Sequence, residues 1–306
     1  MRREALVATG LTVDYGVEVA LRGVSVTLTP GEAPVGLIGP SGAGKTTLVR
    51  ALMGWLRPGA GRVRWGGQDP ARPGPRHKRQ VAAALRAVRE ERDPAMEPRF
   101  PARRILDRAD TLARRAGRDP GLTRTGLLDL VGLRAAELER LAGQLSLGER
   151  QRLAIAAAIA TDPDILILDE PTTALDPALA LDVLDAVAAH VAERETALLL
   201  VSHNMTIIER VTRSVICLVE GADVAHGPLD RVLAEAADPF LADLAGLRQA
   251  ATTRPEAAPA VPESAAPDAP AEPDGAPDAQ DAPDAPDGAD APDAPDGADG
   301  ALVPEA

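Results

Sequence analysis

The stretch that most limits what this chain can fold into is Gly39-Pro40-Ser41-Gly42-Ala43-Gly44-Lys45-Thr46-Thr47. Residues 33–38 before it form an apolar run that reads as a short strand, and residues 48–53 after it read as a helix. A glycine-rich loop between strand and helix lets successive backbone N–H groups curl around an oxyanion, and the helix N-terminus adds its positive dipole end. Lys45 is then positioned to bring a point charge to β- and γ-phosphates, and the Thr46 hydroxyl to ligate Mg2+. All nine residues, 39–47, are expected to line a nucleotide phosphate site.

The rest of the pattern builds a scaffold for that loop. Residues 4–30 alternate apolar and polar and read as antiparallel strands flanking the nucleotide strand. Arg62 to Trp65 reads as a further strand. Val81 to Arg89 fits helix or strand equally on pattern. Residues 103–116, 126–133 and 135–141 read as helices of an insertion at about 90–145, and residues 76–118 carry 13 Lys/Arg against six Asp/Glu. A long helix is expected from Leu147 or Gly148 to Ala160 and another over 177–194. The apolar runs 165–168 and 197–201 are of the fully buried, parallel-strand type. Strands are also expected at 214–220 and 223–226, and helices at 230–237 and 240–247. Apolar strands alternating with helices predict an α/β fold with a mostly parallel sheet, whose working groups gather at the C-terminal ends of the strands.

Charge separates the chain into two parts. Residues 251–306 hold 14 Asp/Glu and one Arg, a net of −13, which equals the net charge of the whole chain; the first 250 residues are formally neutral. That last stretch has 12 prolines, no aromatic residue and the nonapeptide Ala-Pro-Asp-Ala-Pro-Asp-Gly-Ala-Asp at 282–290 and again at 291–299. Nothing in the repeat can be buried, so a disordered, charge-extended tail with a spacer or solubilising role is expected. Cys217, the single cysteine, lies in an apolar run and is expected to be a buried strand thiol. No apolar stretch is long enough to span a bilayer, and no signal-peptide core follows Arg2-Arg3, so the expected location is cytosolic, with any membrane role acting through a partner.

Four further groups can complete the phosphate site. Asp169, ending the strand at 165–168, can hold Mg2+ opposite Thr46. Glu170, one residue on, is positioned to polarise a water attacking the γ-phosphate. His203, ending the next strand, can hydrogen-bond the γ-phosphate. Ser146 can cap the long helix, while Gly148 lets its backbone approach an anion, a second phosphate-reading device. One nucleotide does not need two such devices from one subunit, so a head-to-tail dimer with two shared sites is expected.

With these pieces in order, residues 4–247 resemble the ATP-binding subunit of ABC (ATP-binding cassette) transporters. The matching motifs are the Walker A loop 39–47, the signature 145–149, Walker B 165–170, the D-loop Ala174-Leu175-Asp176 and the switch His203. The resemblance implies a P-loop NTPase (RecA-like) core with an N-terminal antiparallel β subdomain and an inserted α-helical subdomain. It also implies ATP and Mg2+ as cofactors, with Lys45, Glu170 and His203 catalytic. Tyr15 matches the aromatic residue that stacks on adenine, and Ser146, Gly148, Glu149 and Asp176 match positions that face nucleotide across the dimer. Residues 93–99 and 238–241 are similar to the peptide/nickel importer branch, which implies import of a small solute such as a di- or oligopeptide or nickel.

Two departures stand out. Glu90 falls where the family has its Q-loop glutamine, a metal and nucleotide contact, and would add a negative charge beside phosphate. Leu147 replaces the first glycine of the signature, and Glu149 its glutamine. An asymmetric pair is therefore expected, with a heterodimer favoured over a homodimer and this chain's own Walker motifs forming the competent site. The implied partners are a second cassette, transmembrane permease subunits and a solute-binding protein, with no nucleic acid, at the cytoplasmic face of the membrane. The competing readings are a partly degenerate regulatory cassette and a soluble, non-transport ABC ATPase.

Overall fold

The computed structural model describes residues 3–89 and 96–253. Glu90, the first part of the 93–99 match and the acidic tail beyond Thr253 lie outside the described residues. Two sheets organise the rest. A three-stranded antiparallel sheet has the order β2-β1-β4, built from β1 (Leu6–Asp14), β2 (Val19–Leu28) and β4 (Ala60–Trp65). A six-stranded sheet has the order β5-β6-β7-β3-β8-β9, from β3 (Val35–Ile38), β5 (Leu85–Arg89), β6 (Ile165–Asp169), β7 (Ala197–Val201), β8 (Ser214–Val219) and β9 (Ala222–Pro228). All neighbours in it run parallel except β8 and β9.

The strands of residues 4–30 are antiparallel as expected, but they do not flank the nucleotide strand. They pair with β4 in their own sheet, and β3 sits between β7 and β8. Alternation shows that a strand has one wet face; it does not show which strand it pairs with. Val81 to Arg89 resolves into both candidates, as the end of helix α2 (Lys78–Ala84) and all of β5.

The continuous apolar runs follow from burial on both faces. Leu166 and Leu168 on β6, with Leu198 and Leu200 on β7, pack in one core with helices α5 (Leu147–Ile159) and α6 (Pro177–Glu193). Ile165 and Ile167, with Leu199 and Val201, face the other way, into a core shared with helix α1 (Lys45–Leu52) and the antiparallel sheet. Side chains alternate across a strand, so only an unbroken apolar run serves two cores. Helices α3 (Ala102–Arg115) and α4 (Arg124–Leu130) lie between β5 and β6 in the chain and join the first core through Ile105, Leu106, Leu127 and Leu128. The short helix expected at 135–141 is a 3-10 turn over Ala135–Glu139. Helix α7 (Met205–Val211), not anticipated, starts at an Asn204 cap, and α8 (Leu229–Ala234) and α9 (Pro239–Thr253) follow β9. Cys217 is fully buried on β8.

At the N-terminal end of β6, an ion-pair cluster joins three segments. Asp164 is 1 % exposed and accepts from the Trp65 indole at 3.0 Å, the Glu4 backbone N–H at 3.1 Å and Arg118 at 2.8 Å. Arg3 and Arg194 converge on the neighbouring Asp162. The antiparallel sheet, the segment after α3 and the main sheet thus meet at one buried carboxylate.

Candidate active site

The phosphate loop leaves β3 and turns into α1 through three glycines of positive φ, two of which also lack room for a side chain. Gly39, Gly42 and Gly44 have φ of 149°, 80° and 96°. A Cβ on Gly39 would stand 2.1 Å from the Leu218 carbonyl oxygen, and one on Gly44 2.4 Å from that of Ala20. The Ala20 oxygen would also stand 2.8 Å from a Cβ on Gly221, in the β8–β9 turn, and Arg22 donates its N–H to the Gly221 carbonyl at 2.8 Å. Gly44 caps α1 in a left-handed conformation without a side-chain acceptor, so the first N–H groups of the helix are directed at the loop. The Lys45 ammonium donates to the carbonyls of Gly39 at 2.7 Å and Pro40 at 2.9 Å. Burial lowers its pKa from the ordinary lysine value, while the Glu170 and Asp169 carboxylates push it back up. Those two carboxylates therefore act electrostatically on the Lys45 charge.

Asp169, buried at the end of β6, and Glu170 lie beside β7, the strand that delivers His203. Glu170 has φ of +51°, a conformation non-glycine residues seldom adopt, and its N–H donates to the Val201 carbonyl at 3.0 Å. Its carboxylate is held at both oxygens by one residue: Oε1 accepts from the His203 backbone N–H at 3.1 Å, and Oε2 lies 2.9 Å from His203 Nδ1. The imidazole is otherwise open to solvent, with its side chain 75 % exposed. Sequence reasoning pointed His203 at phosphate; its Nδ1 is engaged by the neighbouring carboxylate.

The donor set suits a hard cation. Thr46 and Asp169 offer a hydroxyl and a carboxylate, and no group of three His, Cys, Asp or Glu that could enclose a metal exists among the described residues. Mg2+ is typically bound through one or two protein oxygens, with phosphate and water completing its shell.

The residues expected to face a second nucleotide, at the starts of α5 and α6, take part in contacts within this subunit. Ser146 Oγ accepts from the Glu149 N–H at 3.1 Å, and Glu149 Oε2 accepts from the Ser146 N–H at 2.8 Å, a reciprocal capping box at the start of α5. Donation from that Ser146 N–H holds the Glu149 carboxyl below the usual range against the opposing effect of burial, with Arg140 assisting. Gly148 is needed for a close approach inside the chain: a Cβ there would meet the Ala174 carbonyl oxygen at 2.7 Å. Asp176 caps α6 by accepting from the Leu179 N–H at 3.0 Å. Leu147 is 57 % exposed, and Tyr15, 53 % exposed, sits in the turn joining β1 to β2. Sequence reasoning missed Gln151, whose Nε2 donates to the Glu170 carbonyl at 2.9 Å.

A family model described as ABC transporter matches residues 21–173. The chain belongs to the ABC transporter family. The cassette is 31 % identical over 223 residues to the probable D,D-dipeptide transport ATP-binding protein DdpF of Escherichia coli, covering 72 % of this chain and 68 % of that one. It is 34 % identical over 229 residues to the nickel import ATP-binding protein NikE of Pseudomonas putida, covering 72 % and 81 %. The fold is that of a solved ATP-binding subunit of an ABC transporter, with a TM-score of 0.63 at 23 % identity, covering 80 % of this chain and 99 % of that chain. It is also that of the ATP-binding cassette MJ0796, solved as a post-hydrolysis dimer with ADP and Pi, with a TM-score of 0.61 at 21 % identity, covering 73 % and 98 %. This cassette therefore binds ATP and is an ATPase of the kind that powers transport. Cassettes of ABC importers work in pairs on membrane permeases. No described helix is long and apolar enough to cross a membrane.

Proposed function

We propose that this cassette hydrolyses ATP to drive import of a small solute, of the short-peptide or nickel class, from the cytoplasmic face of a membrane. The relatives named for D,D-dipeptide transport and for nickel import support the solute class. The observation that carries the hydrolytic assignment is the Glu170 carboxylate held at both oxygens by His203, with its charge acting on Lys45.

In this reading the loop 39–47 binds the ATP phosphates through its N–H groups, and the Lys45 ammonium exchanges the Gly39 and Pro40 carbonyls for phosphate oxygens. Tyr15 stacks on adenine. Glu170 orients the attacking water and accepts its proton, and His203 keeps the carboxylate aimed. Mg2+, held by Thr46 and Asp169, would supply charge neutralisation at the β- and γ-oxygens. Ser146, Gly148, Glu149 and Asp176 belong to the wall offered to the second cassette's nucleotide. With Leu147 and Glu149 in that wall, the favoured partner is a different cassette with an unaltered signature, alongside permease subunits and a solute-binding protein.

Phosphate release by wild type, Lys45→Ala and Glu170→Gln, each with the partner cassette, tests the reading. Both variants are expected to lose turnover, Lys45→Ala together with ATP affinity. Unchanged turnover in Glu170→Gln would overturn the catalytic assignment. Full-rate hydrolysis by the isolated chain as an ATP-dependent homodimer would overturn the asymmetric pairing.

A further inference from the structure

Gln151 sits just over one turn into α5, 8 % exposed, and its side-chain amide points away from its own helix towards the end of β6. Nε2 donates to the Glu170 carbonyl oxygen at 2.9 Å, and the Thr173 hydroxyl donates to the same oxygen at 3.3 Å. The other end of the amide, Oε1, is buried without a hydrogen-bond partner among the described residues. A buried amide that satisfies only one of its two polar ends is a poor choice for filling space, since an apolar side chain of like size would avoid the desolvation. Among the described residues, what the amide provides is its bond to Glu170.

That bond falls on a residue in an unfavourable conformation. The φ of +51° at Glu170 is what turns its side chain out of the strand direction, and a left-handed non-glycine residue persists only where its surroundings over-determine it. The N–H of Glu170 is held by Val201 on one side, and its C=O by Gln151 and Thr173 on the other. His203 then needs only to steer a carboxylate whose backbone is already set.

We infer that Gln151 is a positioning residue for the hydrolytic step: its donation to the Glu170 carbonyl holds the backbone turn that aims the Glu170 carboxylate. Gln151 also stands in the helix that Ser146 caps and that contains Gly148. The carboxylate of one nucleotide site is thereby tied, within one subunit, to the helix start that meets the other. The inference rests on the proposed catalytic role of Glu170.

The test compares Gln151→Met and Glu170→Gln in the full chain with its partner cassette. Gln151→Met keeps the length and volume of the side chain and loses the donor. The expected result is a fall in kcat of about tenfold with KM for ATP within about twofold and no loss of thermal stability. A kcat within twofold of wild type would overturn the inference, as would a loss of kcat accompanied by equal loss of ATP binding and of stability. Normal hydrolysis by Glu170→Gln would instead overturn the site reading itself. Should Gln151→Met fail to fold, Thr173→Val removes the other donor to the same oxygen from an exposed position. A kcat lowered about threefold at constant KM supports the anchored carbonyl, and an unchanged kcat overturns it.

Discussion

His203 holds Glu170 twice: its backbone N–H donates to Oε1 at 3.1 Å while its Nδ1 lies 2.9 Å from Oε2. The two contacts differ in kind. The first survives any substitution at 203 other than proline, and the second requires an imidazole with its proton on Nδ1. Replacing the side chain thus removes half of the hold and leaves the loop in place.

His203→Ala is expected to lower ATP turnover by about 100-fold, the scale of a misaligned general base, with ATP affinity nearly unchanged. Single-turnover phosphate release beside equilibrium nucleotide binding separates the two quantities. A parallel loss of both would show that His203 acts on binding.

Gly148→Ala should destabilise the fold by about 1–3 kcal/mol, because the new methyl would stand 2.7 Å from the Ala174 oxygen and 2.9 Å from Leu175 Cδ2. Urea unfolding measures it. An unchanged midpoint would mean that the 174–176 segment yields freely.

Removing Asp164 leaves the Arg118 guanidinium, whose side chain is 4 % exposed, without its carboxylate. Breaking a buried pair from one side typically costs about 3–5 kcal/mol, so Asp164→Ala is expected to unfold at much lower denaturant than wild type. The proposed ATP contacts lie at the far end of β6, so nucleotide binding should be retained in the fraction that folds.

Burial pushes the Cys217 thiol up to about 12, with Asp238 adding to the effect. A thiol raised in the folded state contributes no pH dependence below its unfolded pKa of about 8.5, and stability then falls as pH rises towards 12. The slope approaches about 1.4 kcal/mol per pH unit. Chemical denaturation at pH 7, 9 and 10.5 should show this loss in wild type relative to Cys217→Ala. At pH 8 the native thiol should also resist a thiol reagent that modifies it readily in guanidinium.

Most of the nucleotide-binding frame was legible because its signals are local. A glycine loop between strand and helix, and apolar runs ending in Asp169-Glu170 and Ser202-His203, each carry their geometry in a few neighbours. What stayed hidden depends on distant partners. The sheet pairing of β1 with β4 crosses α1 in the chain, and nothing in residues 4–30 names Arg62 to Trp65 as the neighbour. Gln151 reads as an ordinary polar residue at helical spacing until Glu170 is seen beneath it. Ser146 and Glu149 are three apart, the capping-box spacing, so that second role of Glu149 was available and was eclipsed by its place in a signature. Helix α7 was also within reach: Asn204 precedes apolar residues 205, 207, 208 and 211, a capped helical face of only two turns.

The Ala20 carbonyl meets both Gly44 of the phosphate loop and Gly221 of the β8–β9 turn, with no side chain as a spacer. Tyr15 rides on the turn that leads into the same strand. In the proposed reading, the elements that carry the adenine contact and the phosphate contact are therefore held at a set spacing partly by this one peptide, like the jaws of a calliper locked at one opening. A larger residue at 44 or 221 would reset that gauge, and the molecule would then measure a different length.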